Sequence, residues 1–140
     1  MKIISFNINS IRARPHQVEA IVKKHKPDAI GLQETKVHDD DFPYEIPESL
    51  GYKAHIHGQK GHYGVAILTK EEPLNINKGF ETDDDESQKR FISVTLKKDR
   101  KKIHILNGYF PQGEEREHPV KFPYKDKFYK DLIFRCRDIC

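Results

Sequence analysis

The residues of this chain with the most chemistry to offer stand where apolar strands end. Asn7 and Asn9 close "KIISFNIN", Glu34 and Lys36 follow "AIGLQ", and Asn107 and Tyr109 close "IHILNGY". Side chains at such places leave the packed layer while their backbone stays fixed, so binding and catalytic groups collect there. A carboxylate from one strand and an amide from another are hard oxygen donors of the kind Mg²⁺ accepts, because that ion takes one or two protein carboxylates and keeps several waters. Lys36 and Arg12 are spaced to hold phosphate oxygens nearby. Taken singly, each residue has a plainer reading: a solvated Glu34, a turn-forming Asn7, a strand-edge Tyr109 whose hydroxyl reaches water. Their joint occurrence is what points to a site.

Other polar clusters offer less. The acidic runs "ETDDDE" (81–86) and "HDDDF" (38–42) lack the glycine and the alternate spacing of a calcium loop and read as solvated loops. His55 and His57 share a strand face, but no cysteine or carboxylate is spaced to complete a zinc site with them. His62 lies in "GQKGHYG", where Gly61 and Gly64 let the backbone approach a ligand closely. A P-loop, a G-x-G-x-x-G turn and a G-x-S-x-G elbow are all missing, which removes support for nucleotide-binding and serine-nucleophile chemistry.

The elements that must position these residues alternate between two periods. Residues 2–8 and 29–34 read as strands, and between them "RPHQVEAIVKKHK" reads as a helix. Pro15 suits its first turn, Val18, Ile21 and Val22 form its apolar stripe, and Lys23, Lys24, His25 and Lys26 suit the negative end of its dipole. Pro27 and Asp28 stop it, so the unit is a strand, helix, strand crossover. Residues 52–57 and 63–69 read as a hairpin across a glycine-rich loop, and 90–96 with 102–110 as a second hairpin with a charged tip, "KKDRK". Tyr124, Phe128, Leu132, Cys136 and Cys140 recur at every fourth position, with Tyr129 and Ile133 beside them, the pattern of an amphipathic helix. No glycine or proline terminates that helix before the sequence runs out. The sum is an α+β fold of five or six strands and two helices, with one mixed sheet.

A length of 140 residues is that of one domain, and 36% hydrophobic residues with six Tyr and eight Phe are enough to fold it. The net charge of +3 is too small to demand a polyanionic partner, although local clusters can still build a basic groove. Cys136 and Cys140 match neither a zinc knuckle nor a C-x-x-C pair, which favours a reduced, cytoplasmic protein. No apolar run is long enough to span a bilayer, and Asn7, Asn9 and Arg12 interrupt any signal-peptide core, so no membrane role is expected.

The stretches "SFNINSIRAR", "PDAIGLQETKV", "GYKAHIHGQKGHYGVAILTK" and "LNGYFPQGEEREHPVKFPYK" together resemble the exonuclease III family of abasic-site endonucleases, within the endonuclease/exonuclease/phosphatase superfamily. The likeness runs to about residue 130. It implies a four-layer α/β/β/α sandwich of which this chain is the N-terminal half: a partial domain over residues 1–140 that ends before the second sheet. It implies a Mg²⁺-dependent phosphodiester hydrolase, an exodeoxyribonuclease and abasic-site endonuclease, with Mn²⁺ as a substitute metal. Glu34 would bind the metal and Asn7 would complete the metal site and its hydrogen bonds. Tyr109 would contact the scissile phosphate or assist the attacking water. Arg12, Lys36, His62, Arg90 and Gln112 would meet the backbone of double-stranded DNA carrying abasic or 3′-blocked ends.

Two departures from the family pattern stand out. Ser10 replaces a common glycine, and the G-D-x-N motif, a later aspartate and the S-D-H motif have no counterpart. The expectation is therefore a chain that alone is poorly stable and nearly inactive, with the inner face of its sheet wet and its missing half open to supply by another chain. The competing reading is a non-catalytic DNA-binding or partner-binding fragment that keeps Arg12, Lys36 and Arg90. A phosphoinositide-type substrate ranks below both, because "NINSIRAR" and "QETKV" resemble the DNA-repair branch.

Overall fold

The computed structural model describes residues 1–113 and 116–140, in two compact units. The first comprises residues 1–79 and 88–109, the second residues 80–87 and 110–140.

The first unit begins with the expected crossover. Strand β1 (Ile3–Asn7) pairs in parallel with β2 (Ala29–Gln33) through helix α1 (Pro15–His25). Lys26 ends that helix in the left-handed region at φ 46°, its N–H returning to the Val22 carbonyl. A short helix α2 (Glu45–Ser49), which has no clear apolar period in the sequence, precedes β3 (Lys53–His57). Strand β3 pairs antiparallel with β4 (Val65–Thr69), and β4 pairs antiparallel with β2, giving the order β1-β2-β4-β3. The hairpin's second strand starts two residues later than its sequence suggests, because Tyr63 and Gly64 turn away at φ 56° and 87°.

A second sheet follows, of order β5-β6-β7: Asn75–Lys78, Phe91–Lys98 and Lys101–Gly108. This corrects the expectation of one mixed sheet ending before a second. Alternation along "RFISVTL" and "KIHILNG" fixes a hairpin but not the sheet it joins, and "NINK" is too short and polar to announce an edge strand. The α+β class stands. Asp99, at φ 56°, lets the hairpin turn within two residues, so β6 runs on to Lys98 and β7 begins at Lys101, although β7 ends two residues sooner than the sequence suggests.

Burial follows the strand pleat. Ile30, Leu32, Ala66 and Leu68 join Val18 and Phe42 in a core on the helix side of the first sheet. Their alternates Ala29, Val65 and Ile67 join Ile92, Val94, Leu96 and Ile105 in a core between the sheets. Every residue of β2 and of β4 is buried in consequence. The inner face is thus dry over β2 and β4 rather than wet, while Ile3 on β1 stays 47% exposed and Ser5 and Asn7 are exposed with it.

In the second unit α3 (Lys121–Ile139) buries Phe128, whose ring meets those of Phe80, Phe110 and Tyr129. Ile133 and Phe134 of the same helix remain exposed. Among the described residues no helix is long and apolar enough to cross a membrane.

One polar group ties the two sheets together. Asn107 Nδ2 donates to the carbonyls of Leu32 and Ala66, each at 2.9 Å, and its Oδ1 accepts from Gln33 Nε2 at 2.6 Å. Truncating a buried amide strands its partners without water, so Asn107→Ala should lower unfolding stability by about 3 kcal/mol in urea titration. A loss below about 1 kcal/mol would show that the clamp is dispensable.

His55 supplies a pH test. Thr69 Oγ1 donates to the Glu71 carbonyl at 2.6 Å and so accepts from His55 Nε2 at 2.9 Å, which places a hydrogen on Nε2 of the buried ring. Burial depresses the His55 pKa below its ordinary 6.5; Glu72 opposes this and Lys53 and Lys78 add to it. The unfolded chain therefore binds a proton that the folded chain refuses. Stability is full above the ordinary value and declines as pH falls below it. Urea midpoints measured between neutral and acid pH should show this decline, and His55→Gln should remove the histidine part of it.

Candidate active site

Backbone pairing brings the chain ends of β1, β2 and the β3–β4 loop together. Beyond the last register pair, Asn7 with Gln33, the ladder continues: Ile8, Ser10 and Ile11 donate to the carbonyls of Gln33, Glu34 and Thr35 at 3.0, 2.8 and 3.2 Å. On the other side Thr35 and Lys36 donate to Gly64 and Tyr63 at 3.1 and 2.9 Å. Residues 34–36 are thus held from both flanks although β2 itself has ended.

The backbone within this ladder is unusual. Asn9, Ser10, Glu34, Lys36 and Tyr63 all have φ between 45° and 81°, the left-handed region that residues with a Cβ avoid. Ser10, at φ 81°, stands where glycine would sit without strain, and its hydroxyl accepts from the Ala13 N–H at 3.3 Å. Asn7 Oδ1 accepts from the Asn9 N–H at 3.1 Å. Lys36 Nζ donates to Asn9 Oδ1 at 2.7 Å, and the Arg14 guanidinium donates to the Asn9 carbonyl.

Glu34, the first residue past the doubly covered β2, meets Tyr109 from beyond β7. The Glu34 carboxylate, as hydrogen-bond acceptor for the hydroxyl and as a neighbouring charge, together with burial, holds the tyrosine pKa above its ordinary value. Arg90 partly opposes the shift. Its Cζ lies 4.6 Å from the ring centroids of both Tyr109 and Tyr63, while Nη1 donates to the Tyr109 carbonyl at 3.1 Å and Nε to Gln88 Oε1 at 2.6 Å.

Of the residues singled out in the sequence, the structure joins Asn7, Glu34, Lys36, Arg90 and Tyr109 through these contacts. Arg12 is exposed on the loop between β1 and α1. His62 is exposed with its ring 5.9 Å from that of Tyr63. Gln112 is an exposed residue of the second unit, and Glu114 and Glu115 of the same motif lie outside the described residues. Asn107, a strand-end candidate, is instead the buried clamp between sheets. Tyr63 has no signal in the sequence beyond its place in a glycine-rich loop, since its role depends on Arg90 from another sheet.

Glu34 offers a carboxylate and Asn7 an amide oxygen, whose second lone pair is not used by Asn9. Among the described residues no group of three or more His, Cys, Asp or Glu is arranged to hold a metal ion. Such a sparse all-oxygen set fits Mg²⁺, which keeps most of its waters, and not tetrahedral zinc.

Residues 4–134 match the Endonuclease/Exonuclease/phosphatase family. The exodeoxyribonuclease III of Haemophilus influenzae is 61% identical over 132 residues, which make up 94% of this chain and 49% of that protein. A 3′ phosphatase from Neisseria, solved with a product DNA hairpin, matches with a TM-score of 0.88 at 32% identity, over 99% of this chain and 52% of that one. An AP endonuclease from Archaeoglobus fulgidus matches with a TM-score of 0.82 at 36% identity, over 94% of this chain and 49% of that one. The chain thus spans about half the length of these relatives.

The ladder of strained residues generates a test of its own. A Cβ on Gly64 would overlap Thr35 Oγ1 and force a side chain to φ 87°. Gly64→Ala should therefore cost about 3 kcal/mol, read as a melting temperature lower by roughly 8 °C. An unchanged melting temperature would mean that residues 35 and 64 can separate freely.

Proposed function

This chain belongs to the endonuclease/exonuclease/phosphatase family, and we propose that within it the protein is a Mg²⁺-dependent DNA nuclease of the exonuclease III type. Its reaction is hydrolysis of phosphodiesters in duplex DNA, at abasic sites and at blocked 3′ ends. The observation that carries this reading is the approach of Glu34, past the end of the first sheet, to Tyr109, past the end of the second, close enough for the carboxylate to hold the tyrosine pKa up. Carboxylate and hydroxyl come from different sheets to one place, beside a guanidinium.

Glu34 and Asn7 hold the metal by hard oxygens, and the bound ion supplies charge stabilisation to the phosphate and leaving oxygens. Mn²⁺ can replace it. The Tyr109 hydroxyl keeps its proton at neutral pH, because the shift of its pKa is upward, and is a hydrogen-bond donor rather than a base: its one hydrogen turns from Glu34 to a phosphate oxygen when Glu34 holds the metal. Arg12, Lys36, His62, Arg90 and Gln112 meet the DNA backbone, contacts that position the duplex without reading its sequence. Base pairing is read through shape and a missing base.

Because the chain spans about half the length of its relatives, we assign part of their catalytic set to sequence outside it. A second polypeptide carrying the remaining half would complete the site. The free Cys136 and Cys140 fit a cytoplasmic setting. Binding without turnover is the competing reading, and the half-length match favours it for the chain alone.

Incision of a duplex with one abasic site separates these readings. The chain alone should bind the duplex with a salt-dependent affinity and nick it at least about 100-fold more slowly than when the relatives' second half is added as a separate polypeptide. Nicking should require Mg²⁺ and vanish in Glu34→Ala. Folded chain plus second half that never nicks would sink the nuclease reading, and fast nicking by these 140 residues alone would overturn the assignment of part of the catalytic set to sequence outside them.

A further inference from the structure

Tyr63 stands at one corner of a group formed with Arg90 and Tyr109. Its backbone is fixed before its ring is used: its carbonyl accepts the Lys36 N–H at 2.9 Å, and the next residue, Gly64, donates to Lys89 at 2.9 Å and accepts from Thr35 at 3.1 Å. Those bonds hold Tyr63 at φ 56° and aim its ring towards the end of the second sheet. There the Tyr63 and Tyr109 rings stand 6.5 Å apart at 46°, and Arg90 Cζ lies 4.6 Å from each centroid. A planar guanidinium is attracted to the negative face of each ring, so it can bind both only when their mutual tilt is kept.

Arg90 is itself restrained on its other atoms. Nε donates to Gln88 Oε1, Nη1 to the Tyr109 carbonyl, and its own carbonyl accepts the Tyr109 N–H at 2.7 Å. The Tyr109 main chain is therefore tied directly to Arg90. Its ring packs at the rim of the core between the sheets and, on its polar side, meets the Arg90 guanidinium and the Glu34 carboxylate.

We propose that Tyr63 is a positioning residue: through the Arg90 guanidinium it sets the tilt of the Tyr109 ring and so keeps the Tyr109 hydroxyl on Glu34. The inference deepens the nuclease reading and rests on Glu34 and Tyr109 as a working pair. Nothing in it requires Tyr63 to touch DNA or metal. Only the aromatic face of Tyr63 acts on Arg90, not its hydroxyl.

The test reads the Tyr109 hydroxyl without metal or DNA, so its failure is separate from failure of the nuclease assay. In mixed H₂O and D₂O, the isotope shift on tyrosine ¹³Cζ reports how fast the hydroxyl proton exchanges, and Tyr109→Phe assigns the signal. Tyr63→Leu should speed Tyr109 hydroxyl exchange by at least about fivefold, while Tyr63→Phe, which keeps the ring face, should stay within about twofold of the parent. Arg90→Lys keeps the charge but loses the flat face, and should loosen Tyr109 as Tyr63→Leu does. This variant leaves the Tyr63 turn intact, so it decides the matter if Tyr63→Leu fails to fold. Unchanged exchange in a folded Tyr63→Leu or Arg90→Lys chain, or equal loosening by Tyr63→Phe and Tyr63→Leu, overturns the inference.

Discussion

The carboxamide of Asn107 fills the volume that a side chain on Gly31 would need, since a Cβ there would stand 3.1 Å from its Cγ and Oδ1. From that seat it donates to β2 and β4 and accepts from Gln33, whose Nε2 also reaches Ser5 Oγ at 3.1 Å on β1. Polar atoms of four strands thereby satisfy one another inside an otherwise apolar layer, where an unpaired amide would be costly. The site follows from this closure. With β2 covered on both faces, Glu34 is the first of its side chains able to leave the layer, and two residues past the clamp Tyr109 leaves β7 in turn.

Closure alone would not aim those side chains. The ladder around residues 34–36 does so by holding five side-chain-bearing residues in left-handed backbone, against only two elsewhere among the described residues, Lys26 and Asp99. Each such residue costs about 1 kcal/mol or more, and the cost persists only where surrounding bonds over-determine the conformation. Here the flanking donors to Gln33, Glu34 and Thr35 and the acceptors at Tyr63 and Gly64 supply that constraint. Strain gathered at one place is the mark of a preorganised site, and its location agrees with the chemistry of the side chains it carries.

Much of this was legible in the amino-acid sequence because polar residues that follow apolar runs obey simple rules. Glu34 and Tyr109 stand out as groups that cannot stay in a dry strand, and Pro15 with the basic turn at residues 23–26 marks α1 at both ends. What stayed hidden depends on pairing over long distances. Alternation could not tell that residues 90–108 build a second sheet, nor that Asn107 faces inward as a clamp while Tyr109 faces the site. Tyr63 was invisible for the same reason: its meaning lies in a guanidinium 27 positions later, just before a strand of the other sheet. The four residues "NINK" have too little apolar content to announce an edge strand.

The Asn107 clamp also has a history within each molecule. Gln33 and Asn107 are separated by 74 positions, and Asn107 and Leu32 by 75, so these bonds close a loop of more than half the chain. Loop closure must be met before such contacts return any stability, and they form late when folding is led by local hairpins. During synthesis β1 to β4 emerge well before β7, and in that interval one face of β2 waits bare. Glu34 and Tyr109 meet only when the β6–β7 hairpin docks. The contact between these two residues therefore arrives together with the final closure, and a nascent chain stalled before residue 107 holds a sheet with one bare face and no such contact.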